Sequence, residues 1–151
     1  NFSFFIFKTR DEVLDYFAAA RANLADRGIL VLDMMGGPEC YKEDHEDERE
    51  ISRKITYVWE QARFDPISHD CRFHIHFRFK DGSEIEHAFT YDWRMWTIPE
   101  VRELLEEAGF RESHVYWEGT DEETGEGDGI YSPATVGDAD PGWVCYLVAE
   151  K

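Results

Sequence analysis

Basic residues are scarce in this chain. Among its 151 residues, 33 are Asp or Glu and only 16 are Lys or Arg, which gives a formal net charge of -17. Nucleic acids and anionic membrane surfaces are bound through Lys and Arg, so both would repel this chain. Long apolar runs are lacking as well, and none approaches the roughly 20 residues of a membrane-spanning helix. The composition therefore argues against nucleic-acid and membrane partners and favours a small-molecule partner.

Cysteine is also scarce, with three residues spread widely along the chain: Cys40, Cys71 and Cys145. They form no Cys-x-x-Cys motif of the kind used in redox or zinc sites, and their odd number argues against a disulfide framework. We therefore predict reduced thiols and a cytoplasmic protein. Apolar residues, in contrast, are plentiful: hydrophobic residues make up 42% and aromatic residues 15% of the sequence, enough for the core of one domain over residues 1–151.

The chain opens on an apolar segment. Residues 1–7 read Asn-Phe-Ser-Phe-Phe-Ile-Phe. We interpret them as part of a strand, and as a sign that the chain begins inside a structural unit, because natural termini are usually polar and frayed. Thr9 and Glu12 then have the spacing of a capping box. Apolar residues at helical spacing follow up to Gly28, so the pattern predicts an amphipathic helix over 10–27.

A second strand is predicted directly after this helix. Residues 29–32 are apolar without interruption, which is typical of a strand that is covered on both faces in a parallel sheet. Together with the first strand and the helix, it would make a β-α-β unit with a right-handed crossover. The acidic segment 39–50 that follows is interpreted as a solvated linker or an exposed helix turn.

Three stretches then alternate apolar and polar residues, at 54–64, 71–79 and 84–93. Such alternation predicts an antiparallel β-meander with one buried face. Favourable cross-strand pairs indicate a three-residue loop, or a bulge, beside the Asp81-Gly82 turn. The pairs that this register predicts are Phe79 with Ile85, Arg78 with Glu86 and Arg72 with Asp92.

The segment after the meander predicts a helix and two strands. Thr97 and Glu100 form a second capping box, and a glycine ends the helix that they begin. A strand follows at about 111–118. Residues 119–142 are rich in glycine and acids and are predicted to be a long loop, of a length that is usual for functional lids or disordered segments. The final strand, 143–149, is apolar enough to be internal in the sheet or well covered.

Two of these segments carry a resemblance to a known family. They are 29–33 (Ile-Leu-Val-Leu-Asp) and 104–110 (Leu-Leu-Glu-Glu-Ala-Gly-Phe), the latter followed by the two closing strands. In this order they resemble the C-terminal half of a class I S-adenosylmethionine-dependent methyltransferase, a family whose Rossmann-like sheet ends in an antiparallel final strand. The resemblance implies an α/β fold in which the C-terminal strands of that sheet carry an inserted antiparallel β-meander at about 54–93.

The same resemblance implies an incomplete cofactor site. The family's glycine-rich loop has no counterpart here, since no G-x-G-x-x-G motif occurs. We therefore expect S-adenosylmethionine to be bound by a longer parent protein, and this chain alone to be inactive. Its cofactor-binding candidates are Asn1, Phe2 and Ser3, which would lie at the carboxyl end of a strand, where open α/β sheets bind their ligands.

The candidates for substrate binding are mostly aromatic. Aromatic faces attract the sulfonium of the methyl donor and the ammonium of an amine acceptor, and an arginine can bind a substrate carboxylate with two hydrogen bonds. The alternative for each residue is a packing role, as a core aromatic, a paired arginine or a glycine that permits a turn. The candidates are Tyr91, Trp93, Arg94, Trp96, Trp59, Gln61, Asp33, Gly36 and Gly37.

No metal site is predicted. His74 and His76 share one face of a strand, a geometry that can bind zinc. Arg72 and Arg78 flank them in the sequence, so a solvated ionic face is the better interpretation. The acids of 119–142 do not have the spacing of a calcium-binding EF-hand.

Two further hypotheses concern the chain as a whole. The alternative to a methyltransferase part is a non-catalytic α+β module that binds a small apolar ligand. A sheet cut at its first strand would also expose an edge that can pair with another chain. We therefore predict a homodimer, or a strand exchange between chains, through residues 1–7.

Overall fold

The chain folds into eight β-strands and two α-helices in the computed structural model, which describes residues 2–151. These elements form two groups, each compact: the helical unit, residues 2–39 and 96–151, and the meander unit, residues 40–95. The α-helices are α1 (Arg10–Asn23) and α2 (Ile98–Glu107). The strands are β1 (Ile29–Gly36), β2 (His45–Ser52), β3 (Ile55–Phe64), β4 (Asp70–Phe79), β5 (Glu84–Arg94), β6 (Glu112–Thr120), β7 (Gly127–Ala134) and β8 (Trp143–Glu150).

Both α-helices begin where the sequence predicts. The Thr9 hydroxyl accepts a hydrogen bond from the N–H of Glu12 (3.3 Å), whose carboxylate accepts one from the N–H of Thr9 (2.9 Å). Thr97 and Glu100 repeat this arrangement, so both capping boxes are confirmed. α1 ends earlier than predicted, because Leu24 is already extended (ψ 147°). Within residues 2–151, neither helix has the length and apolar character needed to cross a membrane.

The sheet of the helical unit has the order β1-β8-β6-β7 and is antiparallel throughout. β8 lies between β1 and β6, which confirms the prediction of an internal final strand. Leu32 and Met34 of β1 lie opposite Leu147 and Cys145 of β8, and all four side chains are buried. The buried side chains of α1 and α2 add to the core of this unit: Val13, Phe17, Val101, Leu104 and Leu105.

The predicted first strand is wrong. Residues Ser3–Ile6 form a 3-10 helix, and Phe2 before it is left-handed (φ 54°). Phe4 and Phe5 are both buried, whereas adjacent residues of a strand point to opposite faces. Their rings meet edge to face at 4.9 Å, and the Phe4 ring lies 5.9 Å from that of Phe17. The tight turn thus places both rings in the core, and the described residues contain no β-α-β unit with its crossover.

β1 also differs from the prediction. Its partner is β8, which runs antiparallel to it, and within residues 2–151 no strand pairs with β1 in parallel. Its burial alternates, because Leu32 and Met34 are buried while Ile29 and Val31 are each 52% exposed. The unbroken apolar run therefore does not mark a strand covered on both faces. Alternate residues of this run lie on the exposed face.

Two segments predicted as coil contain strands. The linker predicted at 39–50 includes most of β2, and the loop predicted at 119–142 includes β7. Most residues of both strands are exposed, so neither shows the alternation that reveals a half-buried strand. Both lie at the edge of a sheet, where charged residues discourage pairing with other chains. The predicted three-stranded meander is therefore a four-stranded antiparallel sheet of order β2-β3-β4-β5.

The hairpin between β4 and β5 combines a three-residue loop with a bulge. The N–H of Phe79 donates to the carbonyl of Ser83 (2.9 Å), so residues 80–82 form the loop, which has the predicted length. Farther from the turn, the predicted pairing of Arg72 with Asp92 is confirmed. The predicted pairs nearest the turn are wrong, since a bulge at His87 separates two registers. In the observed register, Phe77 lies opposite Ile85, and Arg78 lies opposite Glu84.

Candidate functional site

The structure brings together two of the candidates in the helical unit. The backbone N–H of Phe2 donates to Oδ1 of Asp33 (2.9 Å), so the segment before α1 is tied to the carboxyl half of β1. Ser3 is exposed and begins the 3-10 helix. Asn1 lies outside the described residues. The three cofactor-binding candidates therefore stay a prediction, and Ser3 and Phe2 do not lie at the end of a strand.

Gly36 and Gly37 lie where no side chain fits. A Cβ on Gly36 would be 2.2 Å from the ring of Trp143, and one on Gly37 would be 2.4 Å from the carbonyl oxygen of Pro141. Gly37 also has a φ of 100°, which favours glycine. These contacts give both residues a packing role. Trp143 and Pro141 also line a cavity of about 360 Å³ with an acidic rim that includes Glu39, so a ligand there would meet the neighbours of the two glycines.

The aromatic candidates are divided between the two units. Trp96 belongs to the helical unit, where it is 3% exposed and its indole N–H donates to the carbonyl of Phe7 (3.2 Å). Tyr91, Trp93 and Arg94 belong to the meander unit. The structure thus gives Trp96 the satisfied hydrogen bond and burial of a core residue.

Four rings form the aromatic cluster of the meander unit: Trp59, Phe73, Tyr91 and Trp93. Trp59 stacks on Phe73 with a centroid distance of 4.9 Å, and Tyr91 lies 4.5 Å from Trp93. Trp59 lies 6.0 Å from Tyr91 and 6.2 Å from Trp93. Phe73 was not among the candidates, although the alternation of its strand places it on this face. Three predicted residues thus come together around a phenylalanine that sequence reasoning missed.

Gln61 supplies a polar group on the same face of the sheet. It lies opposite Phe73 and is only 5% exposed. Its side-chain oxygen Oε1 is buried and has no hydrogen-bond partner among residues 2–151. A buried acceptor without a donor costs about 1–3 kcal/mol, so such groups call for a ligand or water. Gln61 therefore offers a hydrogen-bond acceptor beside the aromatic cluster.

Arg94 and Tyr57 are two ionisable residues of the meander unit. Arg94 is half-buried and lies opposite Asp70 at the end of the β4–β5 pair. Burial, with a smaller contribution from Tyr91, raises the pKa of Tyr57, which lies on the same strand face as Trp59. The Tyr57 phenol therefore stays neutral at physiological pH. The cluster can bind a cation or an N–H donor through its ring faces and Gln61.

The opposite face of the meander sheet is ionic. Arg72 pairs with Asp92 (2.8 Å), and Arg78 pairs with Glu46 (2.8 Å), Glu84 (3.0 Å) and Glu48. The hydrogen bonds to Glu46 and Glu84 are the largest causes that raise the pKa of Arg78. The ionic pairs agree with the predicted ionic face, but His74 and His76 are buried in it rather than solvated.

A third histidine joins that face. His87 has a φ of 48° at the bulge of β5, and its ring stacks on His74 with a centroid distance of 4.0 Å. Burial and the His87 ring, in that order, lower the pKa of His74. Alternation places His87 on the aromatic face, so sequence reasoning missed it, and only the bulge could have revealed it.

Comparison with known proteins finds solved structures of similar fold but no sequence family that matches. No protein-family model matches the sequence, and no curated protein matches it. Among solved structures, a S-adenosylmethionine-dependent methyltransferase from Clostridium acetobutylicum matches 99% of this chain with a TM-score of 0.62 and 12% identity. The CcbJ methyltransferase from Streptomyces caelestis matches 97% with a TM-score of 0.63 and 18% identity.

A third structure is an amino pentose methyltransferase from Micromonospora echinaspora, which acts in calicheamicin biosynthesis and was solved with S-adenosylmethionine bound. It matches 99% of this chain with a TM-score of 0.61 and 24% identity. The chain has a methyltransferase-like fold. It spans about half the length of these methyltransferases, since it covers 55%, 57% and 55% of the three chains.

Proposed function

We propose that this chain is the C-terminal, substrate-recognising part of a S-adenosylmethionine-dependent methyltransferase that acts on a small molecule. The observation that carries the proposal is the fold likeness, which includes 97–99% of this chain and about half of each matching methyltransferase. The net charge of -17 supports a small acceptor rather than a nucleic acid. The matching amino pentose methyltransferase is an example of an enzyme with a small acceptor.

The sheet of the helical unit would be the C-terminal part of a Rossmann-like sheet. The support is its strand order: β8 runs antiparallel between β1 and β6, as the final strand of that family does. The meander unit follows β1 in the chain and precedes α2. It would be the inserted element that recognises the substrate.

The described residues do not by themselves fit S-adenosylmethionine. The sequence has no glycine-rich loop, and the N–H of Phe2 is already donated to Asp33. We therefore propose that the cofactor is bound in a longer protein, where it supplies an activated methyl group on a sulfonium. Asn1, Phe2 and Ser3 would contribute only one side of that site, and this chain alone would be inactive.

The meander unit would bind the acceptor. The rings of Trp59, Tyr91 and Trp93 and the unpartnered Oε1 of Gln61 suit an acceptor that carries an amine, because an ammonium is attracted to ring faces and donates hydrogen bonds. Arg94 would bind a carboxylate of the same molecule. Holding such a molecule in line with a methyl group is the main catalytic task of a group-transfer site of this kind.

The test is calorimetric titration with S-adenosylmethionine of this chain and of a longer protein that contains it. We expect binding to the longer protein only. Binding to the 151-residue chain would contradict the proposed division of the cofactor site. No binding to either would contradict the methyltransferase proposal, and an apolar ligand bound by this chain alone would favour a non-catalytic ligand-binding module.

A second test addresses the acceptor site in the longer protein. We expect Gln61→Leu to raise the KM of an amine acceptor about tenfold or more with little change in kcat, because a ground-state hydrogen bond is lost. Ser132→Ala, on exposed β7 of the helical unit, is the matched control and should change neither constant. An unchanged KM in Gln61→Leu would remove Gln61 from the proposed site.

The homodimer also stays a proposal, at a different edge. Residues 2–7 do not supply a strand edge, because Ser3–Ile6 is helical. The outer edge of β1 is open within residues 2–151, and Val31 on this strand is 52% exposed. We propose that two copies of the 151-residue chain alone pair there, at the edge that the rest of a longer protein would otherwise cover. Light scattering would detect this pairing as a doubled mass. A monomer at micromolar concentrations would rule it out.

A further inference from the structure

We propose that Glu60, His76 and His87 form a binding site for a divalent transition-metal ion, such as zinc, on the ionic face of the meander sheet. The three residues come from three adjacent strands, β3, β4 and β5. A carboxylate and two imidazoles are common ligands of zinc. The site is separate from the aromatic cluster, and it does not depend on the proposed methyltransferase function.

The distances between the ligand atoms suit a small ion. Nε2 of His76 lies 2.9 Å from Oε2 of Glu60, and Nε2 of His87 lies 4.0 Å from the same oxygen. The three potential ligand atoms, one from each residue, all lie within 4.8 Å of one another. Ligands held about 2.0–2.2 Å from a tetrahedral zinc ion are roughly 3.3 Å from one another. A shift of the exposed His87 ring by about 1 Å would therefore complete three ligands and leave one position for water.

The bulge in β5 directs His87 towards this site. Between the pairs of Ile75 with Phe89 and of Phe77 with Ile85, β4 has one residue and β5 has three. His87 lies in the longer stretch in a left-handed conformation (φ 48°), which costs a non-glycine residue about 1–2 kcal/mol. Bulges often redirect a side chain beside a functional site. Here the result is a third histidine on the face that already holds His76.

Neighbouring residues hold the ligands in place. The ring of His74 stacks on His87, and its Nδ1 lies 2.8 Å from Oγ1 of Thr90. The side chain of His76 is 7% exposed, whereas those of Glu60 and His87 are 26% and 57% exposed. The site is thus buried on the side of His76 and open to solvent on the side of His87. The flanking Arg72 and Arg78 are each paired with carboxylates, which lowers their repulsion of a cation.

Metal binding would rearrange one hydrogen bond. The backbone N–H of His87 donates to Nδ1 of His76 (3.2 Å), a hydrogen bond that requires Nδ1 to carry no proton. If a metal ion bound to Nε2, the neutral ring would carry its proton on Nδ1 instead. The N–H of His87 would then have to turn away from His76. The backbone amide of His87 is therefore a direct reporter of metal binding.

A second group of carboxylates and histidine provides an internal contrast. Glu112, His114 and Glu150 of the helical unit also lie within reach of a common ion. However, Arg111 pairs with Glu112 (3.5 Å) and with Glu150, so a guanidinium already occupies the position of the cation. All three of these residues are on the surface or half-exposed. We expect this second group to bind no metal.

The experiment is titration of the full chain with Zn²⁺ by calorimetry and with Co²⁺ by absorbance, together with amide NMR spectra. We expect one equivalent to bind, the His87 amide signal to shift, and affinity to fall at least tenfold in Glu60→Gln and in His87→Asn. Asparagine tolerates a left-handed backbone, so this variant should keep the bulge. His114→Asn is the matched control and should bind as the original chain does.

The proposal is overturned if no metal binds, if His87→Asn binds metal as tightly as the original chain, or if His114→Asn abolishes binding. Circular dichroism of each variant shows whether it is folded. If His87→Asn is unfolded, His87→Gly replaces it, since glycine accepts the same backbone angle. Retained affinity in that variant would equally overturn the proposal.

Discussion

The two sheets of this molecule each have four strands that run antiparallel to their neighbours, yet the two sheets are buried differently. In the helical unit, alternate residues of β1 and β8 are buried, and two helices supply further apolar side chains. In the meander unit, four successive residues of β4, from Phe73 to His76, are all buried. Aromatic rings cover one face of β4, and histidines and ion pairs cover the other.

This difference shows where binding chemistry can develop. In a sheet covered by helices, the buried face is filled by packed apolar side chains, as in the pairs of Leu32 with Leu147 and Met34 with Cys145. A sheet whose two faces carry different side chains has polar groups near its core. Gln61 on the aromatic face and His76 on the ionic face are both buried polar residues of the meander unit. The two proposed sites therefore lie on the two faces of one sheet.

The comparison is tested most strongly by removing one buried ring from each unit. We expect Phe17→Ala in the helical unit and Phe73→Ala in the meander unit each to reduce the free energy of unfolding by about 3–5 kcal/mol. Phe17 is 0% exposed and Phe73 is 1% exposed. Guanidinium titration followed by circular dichroism measures both. A loss below about 1 kcal/mol for Phe73→Ala would show that the aromatic cluster does not form a core comparable with that of the helical unit.

Glycine substitutions compare a tight contact with an open turn. We expect Gly36→Ala to cost about 1–3 kcal/mol, because overpacking forces neighbours to move and a Cβ would lie 2.2 Å from the Trp143 ring. Gly82→Ala in the β4–β5 loop is the control, since it has a φ of 86° and no atom within 4 Å of its Cβ. It should cost about 1 kcal/mol from backbone strain alone. Equal losses would mean that the ring of Trp143 moves aside freely.

The two helix caps should differ in strength within the helical unit. Thr97→Ala is expected to lower the free energy of unfolding by about 1 kcal/mol, because a backbone N–H at the start of α2 loses its acceptor. Thr9→Ala should have a smaller effect, since the hydrogen bonds of Thr97 are part-buried and those of Thr9 are exposed. Thermal unfolding of the two variants measures the difference. A larger effect for Thr9→Ala would contradict it.

The exposed cap should also respond to acid. The backbone N–H of Thr9, then its hydroxyl and the N–H of Lys8, lower the pKa of the Glu12 carboxyl below its ordinary value of 4.5. The unfolded chain therefore binds the proton more readily, and this contribution is lost as the pH falls from about 5 through the lowered pKa. Between pH 5 and pH 3, we expect the melting temperature of Glu12→Gln to fall less than that of the original chain. An identical decline in both proteins would exclude the effect.

The last comparison concerns the reactivity of the cysteine thiols rather than the stability of the fold. Burial raises the pKa of the Cys145 thiol in the helical unit to about 12, so little thiolate forms at neutral pH. Cys40 in the meander unit is only half-buried. Because the thiolate is the reactive form, a thiol reagent at pH 7.5 should label Cys40 quickly and Cys145 only on unfolding. Mass spectrometry of the labelled peptides decides this, and rapid labelling of Cys145 would contradict its burial.

Local signals in the sequence predicted the helices well. The Thr-x-x-Glu spacing at Thr9 and Thr97 determines a helix start through contacts within four residues, and these contacts form in the structure. Residues 1–7 carry no such local signal, since an apolar run suits a strand or a buried turn. Contacts from distant parts of the chain decide between them, including that of Phe2 with Asp33. These contacts cannot be derived from the short segment alone.

The candidate sites were predicted only in part for a similar reason. Alternation placed Trp59, Gln61, Tyr91 and Trp93 on one face, because side-chain direction in a regular strand depends only on position. The missing hydrogen bond of Gln61 depends on all its neighbours in space. The exposed strands β2 and β7 were missed because a strand without a buried face leaves no pattern of hydrophobicity.

The bulge at His87 has a further consequence for how this hairpin could have changed in length. β5 has two more residues than β4 between the pairs that flank the bulge. Since side chains alternate with a period of two, an insertion of two residues leaves every side chain beyond it on its original face, whereas an insertion of one would invert them all. A hairpin can therefore gain two residues and keep both of its faces. The inserted length is then free to present a new side chain.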